Sequence, residues 1–519
     1  MNIILGSGPA SALCAAALLK AGKRVLMIDP GKTLEPEREA VIAKAQTVSK
    51  AQWDVSLQNL VRDNTAPTVG GLPKKLVYGS DFPFQWLEPD VSLELAGVDT
   101  LTSHALGGLS NAWGANIFPF AELDMKEWPI SRSDLAPYYQ TVLSQIPYAG
   151  AKDDLATMFP LFGSPTELPF SEQARRMLHR LERNRETLQS AGVTFGRSRL
   201  AVEAVPCVAC GLCLYGCPYK LIYNSSHTVS KLLANPLFTY RPGYLGKAFN
   251  EVGDHCRVTV LNLSSGEREA LSCERLYVGC GAVGTTALVH RSIFNPDTEV
   301  LIKDSQYFIT PFVQFSSVPK VVAEELHTLS QLAVEIMDPT LCEHSMHLLF
   351  YTYNDMYLRA LKRLLGFGAR PLRPLVHAFL GRLVILQGYL HSDYSASLVL
   401  RREIGEVEKI HLTAKPNSLT APLLKRLHQK VLSLRQSFGG VPLTFMSHRA
   451  APGKSYHLGG SFPMSRSPSR FQTDLLGRPS GMKRVHIVDS SVFPTVPATN
   501  NTLTAMANAY RIGVESAEG

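Results

Sequence analysis

What the sequence lacks narrows its class first. No window of eighteen or more residues is both apolar and uncharged, the length a bilayer-spanning helix requires, so no transmembrane helix is expected. No lysine- and arginine-rich run has aromatics interleaved with it, which argues against a nucleic-acid partner. The net charge of +8 is read instead as a weak bias toward anionic substrates or a membrane surface. Cysteines are too bunched for a disulfide framework: there are nine in 519 residues, and four stand in one short run. The first apolar strand begins at Asn2, leaving no room there for a signal or transit segment. A cytoplasmic setting is therefore expected, with peripheral contact at the inner membrane face as the alternative. What remains, 45% hydrophobic and 18% charged, is an ordinary globular composition, and the length calls for two intertwined domains.

The clearest pattern is at the start. Asn2 to Leu5 reads as a buried strand. Gly6-Ser7-Gly8-Pro9-Ala10-Ser11 reads as a tight turn opening an Ala- and Leu-rich helix, from about Ser11 to Ala21, which Gly22 stops. A second strand, Arg24 to Ile28, then delivers Asp29. This is the order of a dinucleotide-binding βαβ unit. Gly6 permits the sharp turn, Gly8 lets backbone N–H groups approach a pyrophosphate, and the helix N-terminus offers partial positive charge. Ser11 occupies the usual third glycine position and is small enough for close packing. Asp29 is placed to accept hydrogen bonds from an adenosine ribose. The pattern does not choose between FAD and NAD.

Further along, residues 31–100 show little periodicity. The block from Ser103 to Ala115 contains Gly107, Gly108, Ser110 and Asn111, a backbone able to lie against a flat ring or a phosphate; on its own it is equally an ordinary loop. Asp134 to Tyr139 suggests a capped helix after Trp128-Pro129-Ile130. A helix is expected over 171–191, capped by Ser171, with Ala174, Met177, Leu178, Leu181 and Leu188 on one face and Gly192 as its end. Cys207, Cys210, Cys213 and Cys217, followed by Pro218, have the ferredoxin spacing. They point to an iron–sulfur cluster, with zinc or a structural knot as the alternative. The isolated cysteines 14, 256, 273, 280 and 342 read as small buried hydrophobes.

From Phe238 to Asn262 the pattern suggests an antiparallel ribbon turned at Ser264 to Glu267. A buried strand then meets the Gly281 turn and a helix through Leu288. Residues 300–450 read as a sheet with helices laid on it. Within them, segment 361–382 is apolar and basic together (Leu361, Phe367, Arg370, Arg373, Phe379, Arg382). It is suited to an anionic bilayer or a substrate mouth, or equally to a core helix with solvated arginines. Near the end, His457 stands beside Gly459-Gly460, a strand leads into Asp489, and Asn500-Asn501-Thr502 opens a final helix from Ala505 to about Ser516.

The N-terminal unit, the Gly107-Gly108 block, the strand ending at Gly281 and segment 456–515 together resemble the glucose-methanol-choline (GMC) flavoprotein oxidoreductases, in that family's order. The resemblance implies an α/β fold (α+β overall): a Rossmann-like FAD-binding domain from residues 1–135, 196–302 and 451–519, and a substrate domain from 136–195 and 303–450 built on an antiparallel sheet covered by helices. It implies FAD held around Gly6, Gly8, Ser11, Asp29, Gly107, Gly108, Ser110, Asn111, Gly281, Asp489, Asn501 and Thr502. His457 and Asn500 match the family's alcohol-oxidising pair. Asn501 stands where proline is common. Members with covalent flavin carry a linking histidine where this chain has Ala112, so noncovalent FAD is expected. The Cys207, Cys213, Cys217 spacing is similar to that of bacterial FAD-dependent sugar dehydrogenases with a three-iron cluster, Cys210 being an added ligand candidate for a four-iron one. Long-chain alcohol oxidases of the family share a related cysteine-rich stretch, which keeps a lipid substrate in view.

The expected chemistry is oxidation of an alcohol or sugar CH–OH group. His457 takes the hydroxyl proton, Asn500 bonds the same oxygen, and hydride passes to flavin N5. The helix opening at Thr502 would stabilise negative charge on the reduced ring. The iron–sulfur cluster would let electrons leave to a quinone, a cytochrome or a carrier protein. The rivals are an oxidase that uses oxygen, a noncatalytic electron relay, and the same pair reducing a carbonyl. His104, His377 and His391 are expected to be structural.

Overall fold

The dinucleotide unit appears in the computed structural model as strand Asn2–Leu5, helix Pro9–Lys20 and strand Val25–Asp29. The structure describes residues 1–62, 68, 69, 72, 73, 75–366 and 371–518, the side chains of 68, 69, 72, 73 and 363–365 excepted. The helix starts at Pro9 rather than Ser11, because proline's fixed φ suits a first helical position, where no N–H is needed. Both strands sit inside a parallel five-stranded sheet, ordered Val485–Ile487, Leu276–Val278, Asn2–Leu5, Val25–Asp29, Phe238–Pro242. The four strands that include the centre are buried along their whole length, as parallel strands covered on both faces must be.

Phe238–Pro242 corrects the sequence reading. It pairs in parallel with Val25–Asp29, and the antiparallel ribbon begins only at Tyr244–Val252, continuing through His255–Asn262 and Arg268–Cys273. Gly243, with φ of +82°, redirects the chain between the two sheets. A second correction concerns 171–191. Ser171 caps a helix over Glu172–Arg183, but the chain breaks at Asn184, whose side-chain amide donates to Arg180 O at 2.8 Å, and restarts as Arg185–Ser190.

The other half rests on an antiparallel sheet in the order Gly440–Pro442, Tyr307–Gln314, Leu383–Tyr389, Met346–Tyr351, Leu332–Ile336, Val193–Arg197, with His448–Arg449 also pairing to Tyr307–Gln314. Alternation divides its faces. Phe308, Phe312, Val334, Leu348, Phe350 and Leu386 face helices Glu172–Arg183 and Thr420–Ser433, which bury Met177, Leu181, Leu423 and Leu427 against them. Tyr307, Leu349 and Tyr389 lie on the opposite face with Phe118, Phe159, Ala450 and Ala498. Another five-stranded sheet joins Leu458–Gly459, Val300–Asp304, Ser397–Glu403, Glu408–Lys415 and Val91–Ala96, the last from a region whose sequence showed no clear period.

The final helix, Thr502–Glu518, is longer than expected and crosses the first helix closely. A Cβ on Gly513 would stand 2.8 Å from Ala17 Cβ and 3.0 Å from Cys14 O. Segment 361–382 divides between helices Asp355–Leu365 and Arg373–Leu380; Phe367 and Arg370 lie outside the described residues, and Leu375 and Phe379 are exposed. Among the described residues no helix is long and apolar enough to cross a membrane.

Candidate active site

Three glycine turns converge at the carboxyl end of the parallel sheet. Gly6 takes φ of +94° because a Cβ there would meet Gly279 O at 2.4 Å, whereas a Cβ on Gly8 would meet nothing within 4 Å. Gly108 faces Gly8, its hypothetical Cβ lying 3.6 Å from Gly8 Cα. Ser7 couples the turns: its hydroxyl donates to Asp29 Oδ2 at 2.5 Å and accepts from Gly107 N at 2.9 Å. Ser110 donates to Gly107 O at 2.5 Å, and Asn111 donates to Leu106 O and Gly108 O at 2.9 and 2.7 Å. Ser11 donates to Gly279 O at 3.0 Å, which gives the departure from glycine a bonding role in the packing of helix on strand. The third turn, at Gly281, is open at its Cβ position. Thr285 ties it to the buried Asp489, accepting from Cys280 N at 2.9 Å and donating to Asp489 Oδ2 at 2.5 Å. Burial raises the Asp489 carboxyl and pushes that of Asp29 up to about 6, hydrogen bonds from Ser7 and Tyr240 opposing the shift at Asp29. The open backbone at Gly8 and Gly281 fits an anionic, ring-bearing dinucleotide.

His457 and Asn500 come together from 43 residues apart, Asn500 Nδ2 lying 3.2 Å from His457 Nε2. His457 follows Tyr456, a non-glycine residue at φ of +58°. Its backbone is fixed on both sides: its N–H donates to Ser455 Oγ at 2.9 Å, and its carbonyl accepts from Ser305 N at 3.1 Å. Ser455 in turn donates to Asp304, which also accepts from Gly453 N at 2.8 Å. Strain held by so many contacts marks a position kept for a purpose. Desolvation, with His347 nearby, pulls the His457 pKa down to about 3, so the imidazole is neutral at physiological pH. His457 Nδ1 and Asn500 Oδ1 are buried without a protein partner. Asn501 donates to Leu458 O at 3.3 Å, and Thr502 begins the last helix.

The wall beside this pair was not legible in sequence. Tyr389 stacks on His457 with ring centroids 4.6 Å apart, and His347 bonds Glu335 beside it. Only strand register across the sheet brings these residues to His457, and no local motif announces it. His104 accepts from Leu87 N at 3.0 Å, and His391 accepts from Asp393 N at 3.2 Å.

The four cysteines of the 207–217 run share one neighbourhood. Burial raises Cys210 to about 11 and Cys213 to about 12, and mutual repulsion among the thiolates of the loop adds to both shifts. Cys217 is raised by burial while backbone N–H groups of Leu221, Tyr219 and Ile222 oppose the shift. Ala209 and Gly211, at φ of +50° and +77°, curl the backbone around Cys210. Among the described residues the group of three or more histidine, cysteine or acidic ligand atoms lying within 4.8 Å of one another is His344, His391 and Asp393, and it includes none of the four cysteines. The isolated cysteines 14, 256, 273 and 342 are buried, and Cys280 is partly so.

Residues 424–509 match the family model described as GMC oxidoreductase, the segment that contains both His457 and Asn500. The chain carries a GMC oxidoreductase C-terminal domain. The GMC assignment implies FAD as cofactor. A curated relative, the 6'''-hydroxyparomomycin C oxidase of Streptomyces lividus, is 22% identical over 98% of this chain and 89% of its own length. Among solved structures, the pyridoxine 4-oxidase from Mesorbium loti superposes with a TM-score of 0.62 at 13% identity, over 100% of this chain and 99% of that one, a likeness of fold. The matched segment thus sits in a mixed α/β molecule with a Rossmann-like parallel sheet.

Proposed function

We propose that this GMC protein oxidises the CH–OH group of an alcohol or sugar, with His457 as proton acceptor and Asn500 as the second ligand of the reacting oxygen. The observation that carries this reading is the 3.2 Å His457–Asn500 pair, with Nδ1 of one and Oδ1 of the other buried and unpaired. FAD, when bound, supplies the hydride acceptor. Gly6, Gly8, Ser11, Gly107, Gly108, Ser110, Asn111 and Gly281 would hold it, with Asp29 and Asp489 anchoring the turns and Asn501 and Thr502 presenting a helix N-terminus. The alcohol proton moves to a neutral imidazole nitrogen of His457 as negative charge builds on oxygen, and the Asn500 amide donates to that oxygen. General-base help of this kind is worth roughly 10²- to 10⁴-fold.

Cys207, Cys210, Cys213 and Cys217 would hold an iron–sulfur cluster, which supplies a one-electron exit to a quinone, cytochrome or carrier protein. The ferredoxin spacing and the N–H groups facing Cys217 support this. A dehydrogenase is therefore the preferred reading. An oxidase is the second, favoured by the names of both relatives. Iron and sulfide counts on anaerobically purified protein, followed by an alcohol and sugar panel with an artificial acceptor and with oxygen, separate them. Stoichiometric cluster and slow peroxide formation support the dehydrogenase. No iron together with rapid peroxide formation would leave the oxidase.

A further inference from the structure

The apolar and basic segment after Asp355 has no part in the chemistry above. From Met356 to Ser392 the sequence holds six lysines or arginines and no aspartate or glutamate. Within it, helix Arg373–Leu380 is apolar on two sides. Val376 and Leu380, four residues apart, pack inward on Val318, Val321, Tyr353 and Leu383. Leu372, Leu375 and Phe379, spaced three and four apart, lie on the outer side and are 40%, 68% and 38% exposed. The loop that follows Gln314 extends this face. Val318 N donates to Gly381 O at 2.9 Å and Ser317 Oγ to Ala378 O at 3.0 Å, which sets Phe315, itself 42% exposed, beside the helix end. Arg382 donates to the carbonyl of Phe315, Arg373 is exposed at the helix start, and the exposed Lys320 precedes a turn, Val321–Ala323, that packs on the helix. Asp355, the acid that precedes the segment, is already paired with Arg62 and Arg359.

Exposed apolar side chains gathered on one helix and rimmed by charge of one sign mark an interaction surface. We propose that this face docks on an anionic phospholipid bilayer, with helix Arg373–Leu380 lying in the plane of the interface. Leu372, Leu375, Phe379 and Phe315 enter the boundary between headgroups and acyl chains, and Lys320, Arg373 and Arg382 meet lipid phosphates. The charge pattern selects this occupant. A second copy of the chain would bring charge of the same sign against the face, whereas a bilayer supplies phosphates over an extended plane with hydrocarbon beneath them. Contact is peripheral, because eight residues of helix cannot span a hydrocarbon core that takes about 20. The net charge of +8 adds long-range attraction to the same surface.

The test is cosedimentation of the full-length, flavin-loaded protein with sucrose-filled vesicles, either of phosphatidylcholine alone or of phosphatidylcholine mixed with phosphatidylglycerol. The protein is expected to pellet with the mixed vesicles, to stay in solution with the neutral ones, and to be released by high salt. Lys320→Gln combined with Arg373→Gln is expected to weaken binding about 25-fold, about fivefold for each charge. Leu375→Ser combined with Phe379→Ser is expected to weaken it at least about tenfold. Both variants should keep the wild-type thermal midpoint, since all four side chains are exposed. Failure to pellet with the mixed vesicles, equal pelleting with both kinds, or undiminished binding by either variant would overturn the docking face. So would a wild-type dimer, seen by light scattering, that Leu375→Ser with Phe379→Ser abolishes, because the face would then belong to a second copy of the chain.

Discussion

At the scale of single residues, burial governs the site. His457 is kept neutral because its ring has lost hydration in a region that also holds His347, and a neutral imidazole is the form that can accept a proton. His457→Ala is expected to slow alcohol-dependent flavin reduction by about 10²- to 10⁴-fold in stopped-flow traces, while reduction by dithionite is unchanged. Gly6 presents the opposite case, a residue chosen for what it lacks. Gly6→Ala drives a Cβ into a backbone carbonyl 2.4 Å away at a φ of +94° and should cost about 1–3 kcal/mol, read as a lower urea midpoint. An unshifted midpoint would mean that the turn can move away from Gly279.

At the scale of elements, the two ends of the chain are joined by one helix crossing. The first helix presents Cys14 and Ala17, and the last presents Gly513 against them, so the backbones approach closely and the segment bearing Asn500 is tied to the dinucleotide unit. Gly513→Val is expected to destabilise by about 1–3 kcal/mol through overpacking and to weaken FAD retention on gel filtration; full retention with native stability would show that the crossing is not critical. The broken helix after Ser171 carries a related lesson. Apolar spacing predicted one continuous helix, and a single side chain, Asn184, ends it by capturing a carbonyl of the preceding turn.

At the scale of the whole molecule, buried titratable groups set the acid limit. Desolvation holds His104, His327 and His486 at about 4 and His391 and His457 at about 3, all below the ordinary histidine value. It holds Asp29, Asp124 and Asp304 up at about 6. Between about pH 4 and 6 the unfolded chain binds more protons at the five histidines, which lowers stability as pH falls. The folded protein binds more at the three aspartates, which raises it. The histidines outnumber the aspartates and carry the larger shifts, so the urea midpoint is expected to drop between pH 6 and pH 4. A flat or rising midpoint over that window would show that the aspartates dominate.

Local chemistry made part of this protein readable from sequence alone. Glycines at fixed offsets, an acid after the second strand, clustered cysteines, and a histidine and an asparagine near the tail are each short-range patterns whose spacing is set by the turn or helix that holds them. Only the tertiary structure could reveal that Phe238–Pro242 completes the parallel sheet, that Val91–Ala96 joins a sheet formed mostly by residues after 300, and that Glu335, His347 and Tyr389 line up beside His457. Those relations depend on strand register between segments tens to hundreds of residues apart. A one-residue slip would turn each of those side chains to the other face, and no local pattern encodes which partner a strand will find.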